Sequence, residues 1–188
     1  MMEDLKEKKV KVCIIENEIG SAYRIWEGLS EFYKEKKEER LVGRLIFVNI
    51  DNSCATKEAI DYFVPKIKEK GLEFEECEDI EKVFSLIGED VQNEYVYLLD
   101  VCLKDKDLEK MKEKKEYICP SMLIYQMIKE KESYIYSRFV ETEVVDEWVK
   151  VYKEQYQEDS PEIIEREMLV KKYFDESLGS KILRIAGR

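Results

Sequence analysis

Tyr95-Val-Tyr-Leu-Leu-Asp-Val101 is the strongest strand pattern in this 188-residue sequence. The run is aromatic and aliphatic up to Asp100, as in a strand that is buried on both faces of a parallel sheet. An ionised carboxylate in such surroundings is costly unless a cation or hydrogen-bond donors offset its charge. Two explanations are open. Either Asp100 belongs to a charged functional site, or the strand ends one residue earlier and Asp100 caps the following turn.

Further strand patterns lie on both sides of this segment, at 10–15, 41–50, 72–77 and 134–140. Apolar residues at helical spacing occupy the stretches 21–37, 56–67, 79–87 and 120–131 between them. Gly71 and Gly88 predict helix ends, and Pro65 predicts a kink or an early end of the second helix. This alternation predicts an α/β fold, a doubly wound parallel sheet of about five strands with helices on both faces.

The C-terminal part of the sequence shows helical patterns only. We therefore expect an α/β domain over residues 1–142 and a helical extension over 143–188 that packs on it or forms an interface. The extension carries an apolar stripe, and a homodimer through that stripe is one alternative. The stripe consists of Ile163, Ile164, Met168, Leu169 and Phe174. Residues 104–116 are nearly all charged, which predicts a solvated loop or an exposed helix.

The composition excludes several functional classes. The net charge of −11 disfavours direct binding of nucleic acid, since neither Lys-rich run forms an uninterrupted basic patch. Histidine is absent, which removes His-dependent hydrolysis, His-ligated metals and phosphohistidine chemistry within the chain. The five cysteines form no C-x-x-C pair and are expected to be reduced. No apolar run approaches eighteen residues, so we expect a soluble, cytoplasmic protein without membrane contact.

Polar residues follow several of the predicted strands. Right-handed crossovers bring the carboxyl ends of parallel strands to one edge of the sheet, where such folds place their sites. The candidates at that edge are Glu16, Asn17, Glu18, Asn49, Asp51, Asp100 and Ser137. No glycine-rich phosphate-binding loop accompanies them.

These residues carry a resemblance to a known family. The segment Val12-Cys-Ile-Ile-Glu-Asn-Glu-Ile19 resembles the opening of a response-regulator receiver domain, a flavodoxin-like fold of the CheY type. The stretch from Glu78 to Lys106 resembles the helix, strand and loop that carry the phosphoacceptor of that family. Ile135-Tyr-Ser137 resembles the strand that ends in its Ser or Thr.

The resemblance implies a role for each matching residue. Asp100 would accept a phosphoryl group, and Ser137 would contact it. Mg²⁺ would be held by Glu16, with Asn17 or Glu18 beside it, together with Asp100 and the backbone carbonyl of Cys102. The best match for the invariant Lys of the family is Lys150, although it lies in a helical pattern.

The sequence departs from the family in its acid pair and in its spacing. Glu16-Asn17 stands where the family has two Asp, and 84 residues separate Glu16 from Asp100. This distance implies an inserted strand–helix unit near 41–71. Alternatively, 45–51 is the first strand, which would give Asn49 and Asp51 the metal-binding role.

Three functions remain open. The first is a receiver-like signalling module in a two-component phosphorelay, phosphorylated at Asp100 with Mg²⁺ and contacting a histidine kinase or an effector protein. The second is a degenerate receiver that acts as a phosphorylation-independent protein-interaction module. The third is an unrelated α/β domain, such as a small enzyme or a nucleotide binder.

Overall fold

A computed structural model of the chain describes residues 8–34, 39–50, 56–90, 94–104, 106–114, 117–137 and 142–165. Within these residues it contains six strands and six helices. The strands are β1 (Lys8–Glu16), β2 (Glu39–Val48), β3 (Leu72–Cys77), β4 (Tyr95–Asp100), β5 (Ser133–Ser137) and β6 (Ile163–Glu165). The helices are α1 (Ile19–Lys34), α2 (Lys57–Glu69), α3 (Ile80–Glu89), α4 (Asp107–Glu113), α5 (Pro120–Ile128) and α6 (Glu143–Tyr156).

The six strands form one sheet in the order β3-β2-β1-β4-β5-β6, and every neighbouring pair is parallel. The predicted doubly wound α/β fold is therefore confirmed. Without β3, the order 2-1-4-5-6 is the flavodoxin-like arrangement, in which the chain reverses direction between its first and third strands. The strand beyond the expected five is thus β3 at the edge, because β2 pairs with both β1 and β3.

The two faces of the sheet are covered by different helices. Ile14 and Leu98 belong to an apolar cluster with α1 and α2, whereas Ile15 and Leu99 belong to a cluster with α3, α5 and α6. All four side chains are fully buried. Successive residues of the central strands β1 and β4 therefore face opposite layers, which explains why these strands are continuously apolar.

The helix boundaries follow from local signals. Thr56 accepts a hydrogen bond from the backbone N–H of Ala59 at the start of α2, and Asp79 accepts one from Lys82 at the start of α3. α2 continues through Pro65 to Glu69, so the expected early end is not observed. Gly71 follows with a φ of +76°, a conformation that costs glycine little and that terminates the helix there.

Two stretches differ from the sequence-based expectation. Ile163 and Ile164, predicted to be helical, lie in β6 and pair with Ile135 and Tyr136 of β5. Two adjacent β-branched residues fit a strand as well as a helix, and the free edge of β5 decides between them. The other three residues of the predicted stripe, Met168, Leu169 and Phe174, lie outside the described residues.

The charged stretch after β4 is less exposed than its composition suggests. It contains the short helix α4, in which Asp107 and Met111 are buried. Helix α6 is likewise part of the core, through Trp148 and Tyr152. Across the described parts of the chain, no helix combines the length and the apolar character that crossing a membrane requires.

Candidate functional site

The carboxyl ends of β1, β4 and β5 bring three of the predicted residues onto adjacent strands. Ile15 pairs with Leu99, which places Glu16 and Asp100 next to each other at the ends of their strands. Asp100 pairs with Tyr136, and Ser137 is the next and last residue of β5. The edge therefore carries Glu16, Asp100 and Ser137 in order across three neighbouring strands, as the sequence predicted from the topology alone.

Asp100 is the final residue of β4 rather than part of the following turn. Its strand pairing with β5 continues beyond it, because the backbone N–H of Val101 donates to the carbonyl of Tyr136 at 2.9 Å. The Asp100 side chain is half-buried, and Ser137 beside it is 7% exposed. A carboxylate in this position lies at the boundary between the core and the solvent.

Glu16 is the most deeply buried acid of the edge, at 1% exposure. One carboxylate oxygen accepts hydrogen bonds from the backbone N–H groups of Asn17 and Glu18, at 2.9 and 3.0 Å. The other oxygen accepts one from the Tyr136 hydroxyl at 2.7 Å. These three donors offset the cost of removing a carboxylate from water.

Tyr136 is a site residue that the sequence did not reveal. It is fully buried on β5, and its phenol extends across β4 to reach Glu16 on β1. A buried tyrosine normally finds a partner for its hydroxyl, but the sequence does not say which partner. The contact joins residues 120 positions apart, so only the strand order identifies it.

The loop after Asp100 is fixed by a second buried acid. Asp107 accepts a hydrogen bond from the backbone N–H of Lys104 at 3.0 Å and another from the Tyr117 hydroxyl at 2.6 Å. Burial raises the pKa of Asp107 above its usual range, although these two hydrogen bonds act in the opposite direction. Asp107 thus holds the loop between β4 and α4 closed on itself.

Ser121 connects the same loop to α6. Its buried hydroxyl donates to the backbone carbonyl of Val101 and accepts from the indole N–H of Trp148 at 2.9 Å. The residue that follows Asp100 is therefore linked to a core residue of α6 through one side chain.

Cys102 lies close enough to the acids to feel their charge. Burial raises the pKa of its thiol, and the negative charges of Asp100, Asp107 and Glu16 raise it further. Cys102 is therefore a neutral thiol and not a thiolate ligand or nucleophile. Its predicted role used only the backbone carbonyl, which does not depend on this protonation state.

The remaining predicted residues are spread more widely. Glu18 is exposed and Asn17 is half-buried. The Asn49 amide donates to Glu76 of β3 at 2.8 Å, on the side of β1 away from Asp100, and Asp51 lies outside the described residues. Because β1 and not β2 lies next to β4, Glu16 is the acid beside Asp100.

Lys150 lies on α6, seven residues after the helix begins, or about 10 Å along its axis. Its side chain is 59% exposed, and its amine pairs with Glu147 at 2.9 Å. The strand that follows β5 in the sheet is β6, where Glu165 pairs with Ser137. In this position the edge carries an acid.

These residues do not fit a Mg²⁺ ion in their present arrangement. Both carboxylate oxygens of Glu16 already accept hydrogen bonds from the protein. Among the described residues, no three Asp, Glu or Cys side chains lie close enough together to hold a metal. A hexacoordinate ion would require Glu16 to turn away from Tyr136.

Comparison with known proteins adds no relative: no family model, curated protein or solved structure gives a significant match to this chain.

Proposed function

We propose that this chain is a receiver-like signalling module that acts by protein contact and does not depend on phosphorylation. The observation that carries the proposal is the state of Glu16. A metal-binding acid needs free oxygen lone pairs facing the phosphoacceptor, whereas Glu16 directs its oxygens to Tyr136 and to two backbone N–H groups. The acid at the centre of the edge thus acts as a structural residue.

The edge of β6 supports the same proposal. Phosphoryl transfer to a carboxylate develops negative charge on the transferred oxygens, and cations must offset it. Glu165 next to Ser137 and Asp100 next to Glu16 give this edge the opposite charge. Lys150, the one candidate cation, is exposed on α6 and paired with Glu147.

A second candidate function rests on Asp100 itself. Asp100 is half-buried at the end of its strand, beside Ser137, in the position that the resemblance assigns to a phosphoacceptor. If it were phosphorylated, the link from Val101 through Ser121 to Trp148 offers a route from that residue to α6.

Phosphorylation distinguishes the two candidates. The full chain is incubated with acetyl phosphate and Mg²⁺, and its intact mass is recorded. The proposal expects no phosphoryl adduct. An adduct that appears in the natural chain and is absent from Asp100→Asn would replace it with the phosphoacceptor function.

A second experiment addresses protein contact. Tagged full-length chain and its Asp100→Asn variant are each used to isolate partners from cells of the source organism. The proposal expects the same specific partner to be retained by both. A partner retained only by the natural chain would show that the Asp100 carboxylate, and hence its modification, is required.

A further inference from the structure

A cavity lies at the amino edge of the sheet, opposite to Glu16 and Asp100. Its volume is about 280 Å³, and it is bounded by the end of α1, the start of β2 and the residue that follows α2. Leu41 in its wall and Val48 at the other end of β2 are seven residues apart, or about 23 Å along the strand. The cavity is therefore separate from the carboxyl edge.

The inner wall of the cavity is apolar and fixed. It is formed by Trp26, Tyr33 and Leu41, of which the two aromatic residues are buried. The Trp26 ring packs directly on Gly43, where a Cβ atom would come within 2.2 Å of it, and its indole N–H donates to the carbonyl of Lys70 at 3.1 Å. The ring is thus held from two sides and cannot turn to fill the space.

The mouth of the cavity is cationic in a strongly acidic protein. The charged residues that line it are Lys34, Arg40 and Lys70, and no Asp or Glu is among the lining residues. Lys70 is paired with Glu27 at 2.6 Å. Lys34 and Arg40 are exposed and form no ion pair with any other described residue.

We infer that this cavity binds a phosphate group, as inorganic phosphate or as a small phosphate monoester. A guanidinium and an ammonium without ion-pair partners supply several N–H donors, and the planar guanidinium matches two phosphate oxygens at once. The apolar wall strengthens their attraction by lowering the local dielectric constant. The volume is near the lower limit for ligand pockets, which selects a small ligand. This inference does not rest on the proposed signalling function.

Isothermal titration calorimetry on the full-length chain tests the inference. The probes are inorganic phosphate, phenyl phosphate and the neutral benzyl alcohol. We expect saturable binding of at least one phosphate probe and none of benzyl alcohol. Inorganic phosphate alone would identify free phosphate as the ligand type, whereas tighter binding of phenyl phosphate would identify a monoester.

A double variant locates the site. Lys34→Gln with Arg40→Gln should weaken phosphate binding by about tenfold or more, because it removes two charge-assisted contacts. Lys57→Gln with Lys68→Gln removes the same charge from the exposed surface of α2 and should leave binding nearly unchanged. The inference is overturned if neither phosphate probe binds, if benzyl alcohol binds as well, or if both double variants lose affinity equally.

Discussion

The Tyr136 hydroxyl on β5 donates a 2.7 Å hydrogen bond to the Glu16 carboxylate on β1, across the intervening strand β4. Both side chains are buried, and both are close to the carboxyl ends of their strands. The contact therefore determines the orientation of the acid that lies beside Asp100, and it is the first feature to test.

Tyr136→Phe should lower the free energy of unfolding by about 1–3 kcal/mol, because it leaves one buried carboxylate oxygen without its donor. Urea denaturation followed by circular dichroism measures the change. Tyr134→Phe is the matched control, since Tyr134 lies two residues earlier on β5 and its hydroxyl contacts the exposed Glu132 at 3.2 Å. Its effect should be within about 0.5 kcal/mol. Equal effects of the two variants would contradict a specific role of the Glu16 contact.

Asp100→Asn should raise the free energy of unfolding by about 0.2–1 kcal/mol, because it removes a negative charge directly beside Glu16 on the neighbouring strand. The stabilisation should diminish at low pH, where the acids are protonated. Urea denaturation at neutral and acidic pH measures both effects. A clear loss of stability in Asp100→Asn would show instead that the Asp100 carboxylate makes a structural contact that an amide cannot replace.

The fold was largely predictable from the sequence, and the details of the site were not. Buried parallel strands are continuously apolar, so β1 and β4 were visible, and parallel topology alone aligned Glu16, Asp100 and Ser137 at one edge. β6 was missed because three residues carry too little pattern to separate a strand from a helix. Tyr136 and Asp107 were missed because their burial depends on partners that are set by tertiary packing.

The link between α5, α6 and the segment after α6 should make stability depend on acid. Glu158 accepts hydrogen bonds from Tyr152, Gln126 and Lys129, and these lower its pKa from 4.5 to about 2. A depressed carboxyl pKa stabilises the folded state above the unfolded-state value, and this contribution is lost as the pH falls from about 4.5 towards 2.

Glu158→Gln should therefore reduce the pH dependence of unfolding in this acidic range and lower stability at neutral pH. Urea midpoints measured between neutral pH and pH 2 test this. Glu154→Gln, an exposed position on α6, is the control and should leave the slope unchanged. An identical acid slope in the natural chain and Glu158→Gln would rule out the contribution.

Two glycine substitutions should have opposite effects. Gly43→Ala places a Cβ within 2.2 Å of the Trp26 ring and should cost about 1–3 kcal/mol through overpacking. Gly88→Ala meets no atom within 4 Å inside α3 and should stabilise by about 0.5–1 kcal/mol through helix propensity. Thermal unfolding of both variants measures the difference. A neutral Gly43→Ala would mean that Trp26 can move, and the fixed wall of the amino-edge cavity would then be lost.

The position of β1 in the middle of the sheet has a consequence for synthesis. β1 is made first, but its partner β4 begins 79 residues after β1 ends. At about 5–20 residues per second, the ribosome needs roughly 4–16 s to supply that partner. During this interval, one edge of the apolar strand Lys8–Glu16 has no neighbour from its own chain. The nascent protein is therefore most exposed to aggregation and to chaperone binding before residues 95–100 emerge.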